Sequence, residues 1–171
     1  MLNLVLFYLA SAVAVAATLL ALTRANAAHA LVYLILSLLS VAVLFFLLGA
    51  PFAGALQVLV YAGAIMVLFV FVVMMLNLGA TGEARERAWL ADVGWFGPGL
   101  LAGILLLELL LALEVGGTAA ATPVAPKAVG LTLFGPYVLA VEIASMLLLA
   151  ALVGAYHVAR RFLARAPEET P

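Results

Sequence analysis

Ala55-Leu56-Gln57-Val58-Leu59-Val60-Tyr61-Ala62-Gly63-Ala64-Ile65-Met66-Val67-Leu68-Phe69-Val70-Phe71-Val72-Val73-Met74-Met75-Leu76-Asn77 is the stretch that decides how this chain folds. It carries no charge, and it is as long as the roughly 20 residues an α-helix needs to cross the hydrocarbon core of a bilayer. It shows no period-two alternation, so it does not read as a strand of a membrane barrel. The rest of the chain has the same character. Hydrophobic residues make up 69% of the 171 and charged residues 9%, against about 45–50% and about 25% in a soluble domain. A water-soluble fold of this size could not cover so much apolar surface, so the bilayer is the solvent the composition specifies.

Working outward, the same length criterion marks further helices. Residues 2–22, 28–48, 55–77, 94–113 and 134–157 are expected to cross the membrane, giving an all-α integral membrane protein of five transmembrane helices. Gly49-Ala50-Pro51 stops the second, and the connection over 49–54 is short enough to make helices two and three antiparallel neighbours. Gly79, Gly82 and the run Glu83-Ala84-Arg85-Glu86-Arg87 break the chain after helix three, with Trp89 and Trp95 suited to a membrane interface. Residues 115–133 read as the longest loop, and Gly135-Pro136 is expected to place proline in the first turn of helix five. The whole chain, 1–171, reads as a single membrane domain, with a polar tail over 160–171. Residues 1–23 lack a basic n-region and have too long an apolar run for a signal peptide, so they read as a retained helix.

Basic residues set the orientation. With five crossings, one side of the membrane carries Lys127 alone. The other carries Arg24, Arg85, Arg87, Arg160, Arg161 and Arg165. Cytoplasmic loops collect Lys and Arg, so the N-terminus is expected to be periplasmic and the C-terminus cytoplasmic. The near-neutral balance, a formal net charge of −1, gives no basic surface for nucleic acid.

The sequence excludes much soluble-enzyme chemistry. It has no cysteine, hence no disulfide, thiolate metal site or cysteine-held iron–sulfur cluster. It has no P-loop, no dinucleotide fingerprint and no His/carboxylate grouping with metal spacing, so no metal site is expected. His29 and His157 fall near helix ends and read as solvated caps. Two acids fall inside expected spans, where an ionisable group is costly and raises a functional question. Glu142 stands about eight residues from the outer end of helix five, roughly 12 Å deep at about 1.5 Å of rise per residue. That is too deep for glutamate to reach the headgroups, so it needs a partner, a water-filled cavity or a proton; Ser145 is one turn on. Glu108 stands about six residues from the outer end of helix four among aliphatic neighbours. It reads as bending outward to the headgroups or meeting a partner subunit, with its role open.

Helix three is different because its one odd spot is uncharged. Gln57 and Tyr61 are four apart and share a face. Ala62-Gly63-Ala64 follow, and a glycine inside a membrane helix permits close helix approach and local i→i+5 pairing. From the residues alone this is either a deformable point or ordinary small-residue packing. Tyr33, Ser37 and Ser40 on helix two, and Ser11 and Thr18 on helix one, form polar stripes of the kind that mark helix–helix contacts.

These residues carry a resemblance. Val60-Tyr61-Ala62-Gly63-Ala64-Ile65-Met66-Val67-Leu68-Phe69-Val70-Phe71-Val72-Val73-Met74-Met75-Leu76-Asn77-Leu78 closely resembles the J subunits of bacterial NADH–quinone oxidoreductase (respiratory complex I), the family equivalent to mitochondrial NADH dehydrogenase subunit six. Lys127-Ala128-Val129-Gly130-Leu131-Thr132-Leu133-Phe134-Gly135-Pro136-Tyr137-Val138-Leu139-Ala140-Val141-Glu142 is similar to a second family segment. Asn26-Ala27-Ala28-His29-Ala30-Leu31 is similar to a third. The likeness weakens at helix one, the core of helix four and the tail.

The resemblance implies a non-redox subunit of the membrane arm of a proton-translocating NADH:quinone oxidoreductase in the bacterial inner membrane. Its implied partners are the small A and K type subunits, the quinone-site H type subunit and the antiporter-like subunits, all within lipid. FMN, iron–sulfur clusters and the quinone site are then expected in partner subunits and no cofactor in this chain. It also implies a π-bulge at Tyr61, Ala62, Gly63 and Ala64 whose switching opens a water path, with Gln57 and Glu142 as contacts of that path and no catalytic residue in the chain. Some family members have Glu where this chain has Gln57; a neutral amide orients water but cannot take up a proton. Glu108 has no counterpart in the family pattern. Competing readings are a purely structural or assembly subunit, a freestanding small transporter, and the corresponding subunit of a ferredoxin-dependent oxidoreductase or formate hydrogenlyase.

Overall fold

The structure, a computed structural model, describes residues 2–24, 27–76, 95–114 and 123–163. Among these the regular structure is helical throughout, with no strand. The chain forms two compact units, Met1–Ala125 and Pro126–Pro171. The division falls where Pro126 starts a new helix. The charge run over 83–87 and residues 164–171 of the tail lie outside the described residues, as does the 115–122 part of the expected long loop.

In the first unit, α1 spans Leu2–Thr23 and α2 spans Ala27–Leu47. A continuous rod follows, made of α3 (Pro51–Leu56), a π-helical segment (Gln57–Ile65) and α4 (Met66–Leu76). The helix α5 covers Phe96–Glu114. The second unit holds α6 (Pro126–Leu133) and α7 (Val138–Leu163). Among the described residues, four helices are long and apolar enough to cross a membrane: Asn3–Thr23, Ala27–Leu47, Pro51–Met75 and Val138–Arg160. The apolar stretch Phe96–Ala112 is shorter.

The helices α1 and α2 pack along a seam of small residues. Ala10 and Ala17 are fully buried, which lets the α2 backbone come close. Polar side chains bridge the seam. Ser40 Oγ donates to the Ala10 carbonyl at 2.6 Å, and Ser37 Oγ donates to the Ala14 carbonyl at 3.2 Å. The Thr18 and Ser37 hydroxyls lie 2.7 Å apart. The expected stripe therefore meets protein at Thr18, Ser37 and Ser40, whereas Ser11 Oγ donates to Phe7 O in its own helix. In hydrocarbon such hydroxyls have no water to turn to, so they bond to backbone carbonyls.

The helix α5 docks onto this pair. Leu105 joins Ala10, Val13 and Val43 in one cluster, with Leu101, Ile104 and Leu109 packed against it. The helix starts beside the start of α2, with the Trp95 and His29 rings edge to face at 5.2 Å. His29 is thus packed against an aromatic ring rather than acting only as a solvated cap. Gly97 lies against the buried Tyr33, and a Cβ there would collide with the Tyr33 hydroxyl. Arg24 covers the Tyr33 ring at 5.2 Å and donates to its hydroxyl at 3.5 Å.

Two boundaries differ from expectation. Helix three begins at Pro51, not residue 55, because Gly49 turns the chain at φ 77° and proline fits the first helical turn. Helix five begins at Val138, not residue 134. Residues 126–133 form α6, so the segment read as loop is partly helical, and Gly135-Pro136 lies in the turn between α6 and α7. That turn is closed by Tyr137 N–H donating to Thr132 O at 3.2 Å and Val138 N–H to Gly135 O at 3.2 Å. A Cβ on Gly135 would meet Leu131 O at 2.7 Å, so the turn has room for no side chain there.

Candidate functional site

The rod Pro51–Leu76 leaves α-helical winding in its first half. From Gln57 to Ile65 its backbone is wound as a π-helix, and α-winding resumes at Met66. The exit is marked by Met66 N–H, which points to both Tyr61 O and Gly63 O, a five-residue reach beside a three-residue one. The entry is marked by Gln57 N–H, which points to Ala53 O and Gly54 O. A π-turn is wider than an α-turn and is usually found as a single insertion at a functional site.

The residue types explain why the segment tolerates this winding. At Gly63 a Cβ would stand 3.1 Å from the carbonyl oxygen of Val58, five residues back. The carbonyl row crowds this α-carbon, and glycine accepts the crowding. Ala62 is the buried residue of the segment, and Met66 is buried just beyond it. Tyr61 is about half exposed, at 52%, and Gln57 is half-buried. Upstream, Gly54 lets the rod lie close to α2; a Cβ there would be 3.0 Å from the Phe46 ring and 3.1 Å from Ala42 O. The π segment and α4 both pack along α2. The rod is thus held on one side by α2, while Leu59, Val60, Tyr61 and Ile65 are exposed.

The other candidate residues belong to other helices. Glu142 is in α7, exposed, and four residues from Val138, about 6 Å along the axis rather than the roughly 12 Å expected. Ser145 Oγ donates to the main-chain carbonyl of Glu142 at 2.7 Å and is committed to its own helix. Glu108 corrects the sequence reading most. It does not bend outward to the headgroups; it is 1% exposed, within the first unit. Its spacing held the signal: Leu101, Ile104, Leu105 and Glu108 share one helical face, and the three apolar members face α1 and α2. Among the described residues no group of His, Cys, Asp or Glu could hold a metal ion.

Residues 17–158 match the family described as NADH-ubiquinone/plastoquinone oxidoreductase chain 6. The chain is 60% identical to NADH-quinone oxidoreductase subunit J of Pseudomonas aeruginosa over 158 residues, covering 91% of this chain and 95% of the relative. It is 58% identical to subunit J of Escherichia coli K12 over 160 residues, covering 90% and 85%. Subunit J of Rhodobacter capsulatus is 39% identical over 160 residues, covering 87% and 77%. This chain belongs to that family. It is of the subunit J type of NADH-quinone oxidoreductase and a multi-pass inner-membrane protein, and its apolar helices are those of such a subunit. The π segment lies wholly inside the matched region.

Proposed function

We propose that this subunit J-type chain couples quinone reduction to proton translocation in the membrane arm of NADH:quinone oxidoreductase by a change of winding in its third membrane helix. The observation that supports this reading is the nine-residue π-helical segment Gln57–Ile65 inside an otherwise α-helical rod. A rod with such an insertion has a second arrangement close at hand. Returning it to α-winding re-phases one half of the rod against the other by about 100°, the turn per residue of an α-helix. Tyr61 and its neighbours would then present a different face to the surroundings. Ala62, Gly63 and Ala64 have side chains small enough to let this happen without collision.

In this reading helix three works by shape. Gln57 orients water along the path but carries no proton, because an amide has donors and acceptors without an exchangeable charge. Glu142 is the acidic contact of the path. The neighbouring A, K, H and antiporter-like subunits supply the remaining walls. FMN, iron–sulfur clusters and quinone are held by partner subunits, and the chain itself has no redox centre. The apolar helix α5 serves as a fifth crossing, with the N-terminus periplasmic and the C-terminus cytoplasmic.

The exposed apolar faces of the rod also favour a purely structural role, in which the chain seals and positions its neighbours. Gly63→Leu in the intact complex separates the two. Gating predicts a complex of normal subunit composition whose proton translocation per quinone reduced falls. Normal assembly with undiminished translocation would sink the gating reading and leave the structural one.

A further inference from the structure

One side chain outside the π segment is chemically out of place. Glu108 continues the α5 face formed by Leu101, Ile104 and Leu105, which packs into the cluster with Ala10, Val13 and Val43. It is 1% exposed, and neither of its carboxyl oxygens meets a hydrogen-bond partner among the described residues. A residue needed only to fill this space would be Leu or Met, which bring no polar atoms to desolvate.

Among the described residues, the helices packed around it supply no countercharge. The helices α1, α2 and α5 hold no Lys or Arg. The titratable groups of α1 reduce to Tyr8, which is exposed. Those of α2 are His29 and Tyr33, engaged at the other end of the bundle with Trp95 and Arg24. On α5 itself Glu114 stands six residues further on, at the end of the helix. An ionised carboxylate here would be a lone charge in apolar packing. A carboxylic acid has one O–H to donate and an oxygen to accept, and it carries no charge.

We propose that Glu108 is a proton-binding site, loading from and releasing to water that enters the α1–α2–α5 contact from the nearer end of α5. That end is six residues away, about 9 Å along the axis, a span that a short file of waters bridges. On loading, one carboxylate oxygen forms an O–H bond to a proton of hydronium, and the water keeps the electron pair of the bond it loses. Release is the reverse, and no group is oxidised or reduced. The site lies on a different helix from the π segment and from Glu142.

Infrared difference spectroscopy on the intact purified complex tests this. Subtracting Glu108→Gln from the wild type at neutral pH should reveal a protonated-carboxyl C=O band, lost in the variant, that moves to lower frequency in D2O. If the Gln variant assembles poorly, Glu108→Met, apolar and of similar length, serves for the same subtraction. Absence of the band, meaning an ionised Glu108, overturns the proposal. So does a band that stays fixed after prolonged exposure to D2O, meaning a proton locked in a structural bond. A Gly63→Leu complex should keep the band, so failure of helix-three gating and failure of this site are read separately.

Discussion

The α-carbon of Gly63 sits where a methyl group would be 3.1 Å from the carbonyl oxygen of Val58. This one relationship ties the sequence to the winding of helix three. The segment has widened until the carbonyl five residues back faces the glycine, and any side chain at 63 must push that carbonyl away.

Substitutions at Gly63 should therefore act in order of size. Gly63→Ala asks the Val58 carbonyl to yield by a few tenths of an ångström and should reduce proton translocation only modestly. Gly63→Val or Leu adds overpacking of about 1–3 kcal/mol against the π-winding and should shift the rod toward α-helix. The check is translocation per quinone reduced, measured in proteoliposomes across the three variants. An effect that does not grow with side-chain size would contradict the crowding argument.

The contact of Gly97 with Tyr33 makes a paired prediction. Gly97→Ala places a methyl group on the Tyr33 hydroxyl and should weaken docking of α5 by about 1–3 kcal/mol. Removing that hydroxyl leaves the next ring atom, Cζ, at 3.4 Å, an ordinary contact. Tyr33→Phe should therefore restore most of what Gly97→Ala loses, while costing little alone because the Arg24 hydrogen bond it removes is long at 3.5 Å. Thermal stability of the four complexes, wild type, two singles and the double, gives the coupling directly.

Ser40 bridges α2 to α1 through the Ala10 carbonyl at 2.6 Å and is fully buried. Ser40→Ala should cost about 0.6 kcal/mol, typical of a hydrogen bond between membrane helices. Ser40→Val should cost more, since the seam is closed by Ala10 and Ala17 and has no space for a branched side chain. Yield of assembled complex after graded detergent exposure measures both. Equal losses for Ala and Val would mean that the hydrogen bond, not the close approach, holds the seam.

Glu142 and Ser145 should behave differently although they are one turn apart. Ser145 is bonded to its own helix backbone, so Ser145→Ala is expected to be silent in assembly and translocation. Glu142 is exposed on α7, so Glu142→Gln should leave assembly unchanged while lowering translocation. A Glu142→Gln complex that pumps normally would remove this residue from the water path.

Much of the fold was legible because membrane helices announce themselves by length and lack of charge. Gly49 and Pro51 marked the turn into helix three, and Thr18, Ser37 and Ser40 marked the seam between α1 and α2 before any contact was visible. Other features were masked by local ambiguity. Residues 126–133 carry Pro, Lys and Gly and read as loop, yet Pro126 starts a short helix. Glu108 looked like a residue near a membrane surface because depth along a helix is legible in one dimension. Which way a side chain points depends on the neighbour that covers it.

Composition and period thus determined on their own that this is a helical membrane protein and where most of its long helices lie, but left Ala62-Gly63-Ala64 in the third as either a deformable point or ordinary small-residue packing. Burial without water forces every backbone group into helices, so apolar length alone specifies them. Only the tertiary structure decided that the π-winding extends over Gln57–Ile65, that Gly97 yields to Tyr33, and that Glu108 faces inward. Those outcomes depend on how α1, α2, α5 and the rod pack in three dimensions, and packing joins residues that the sequence keeps far apart.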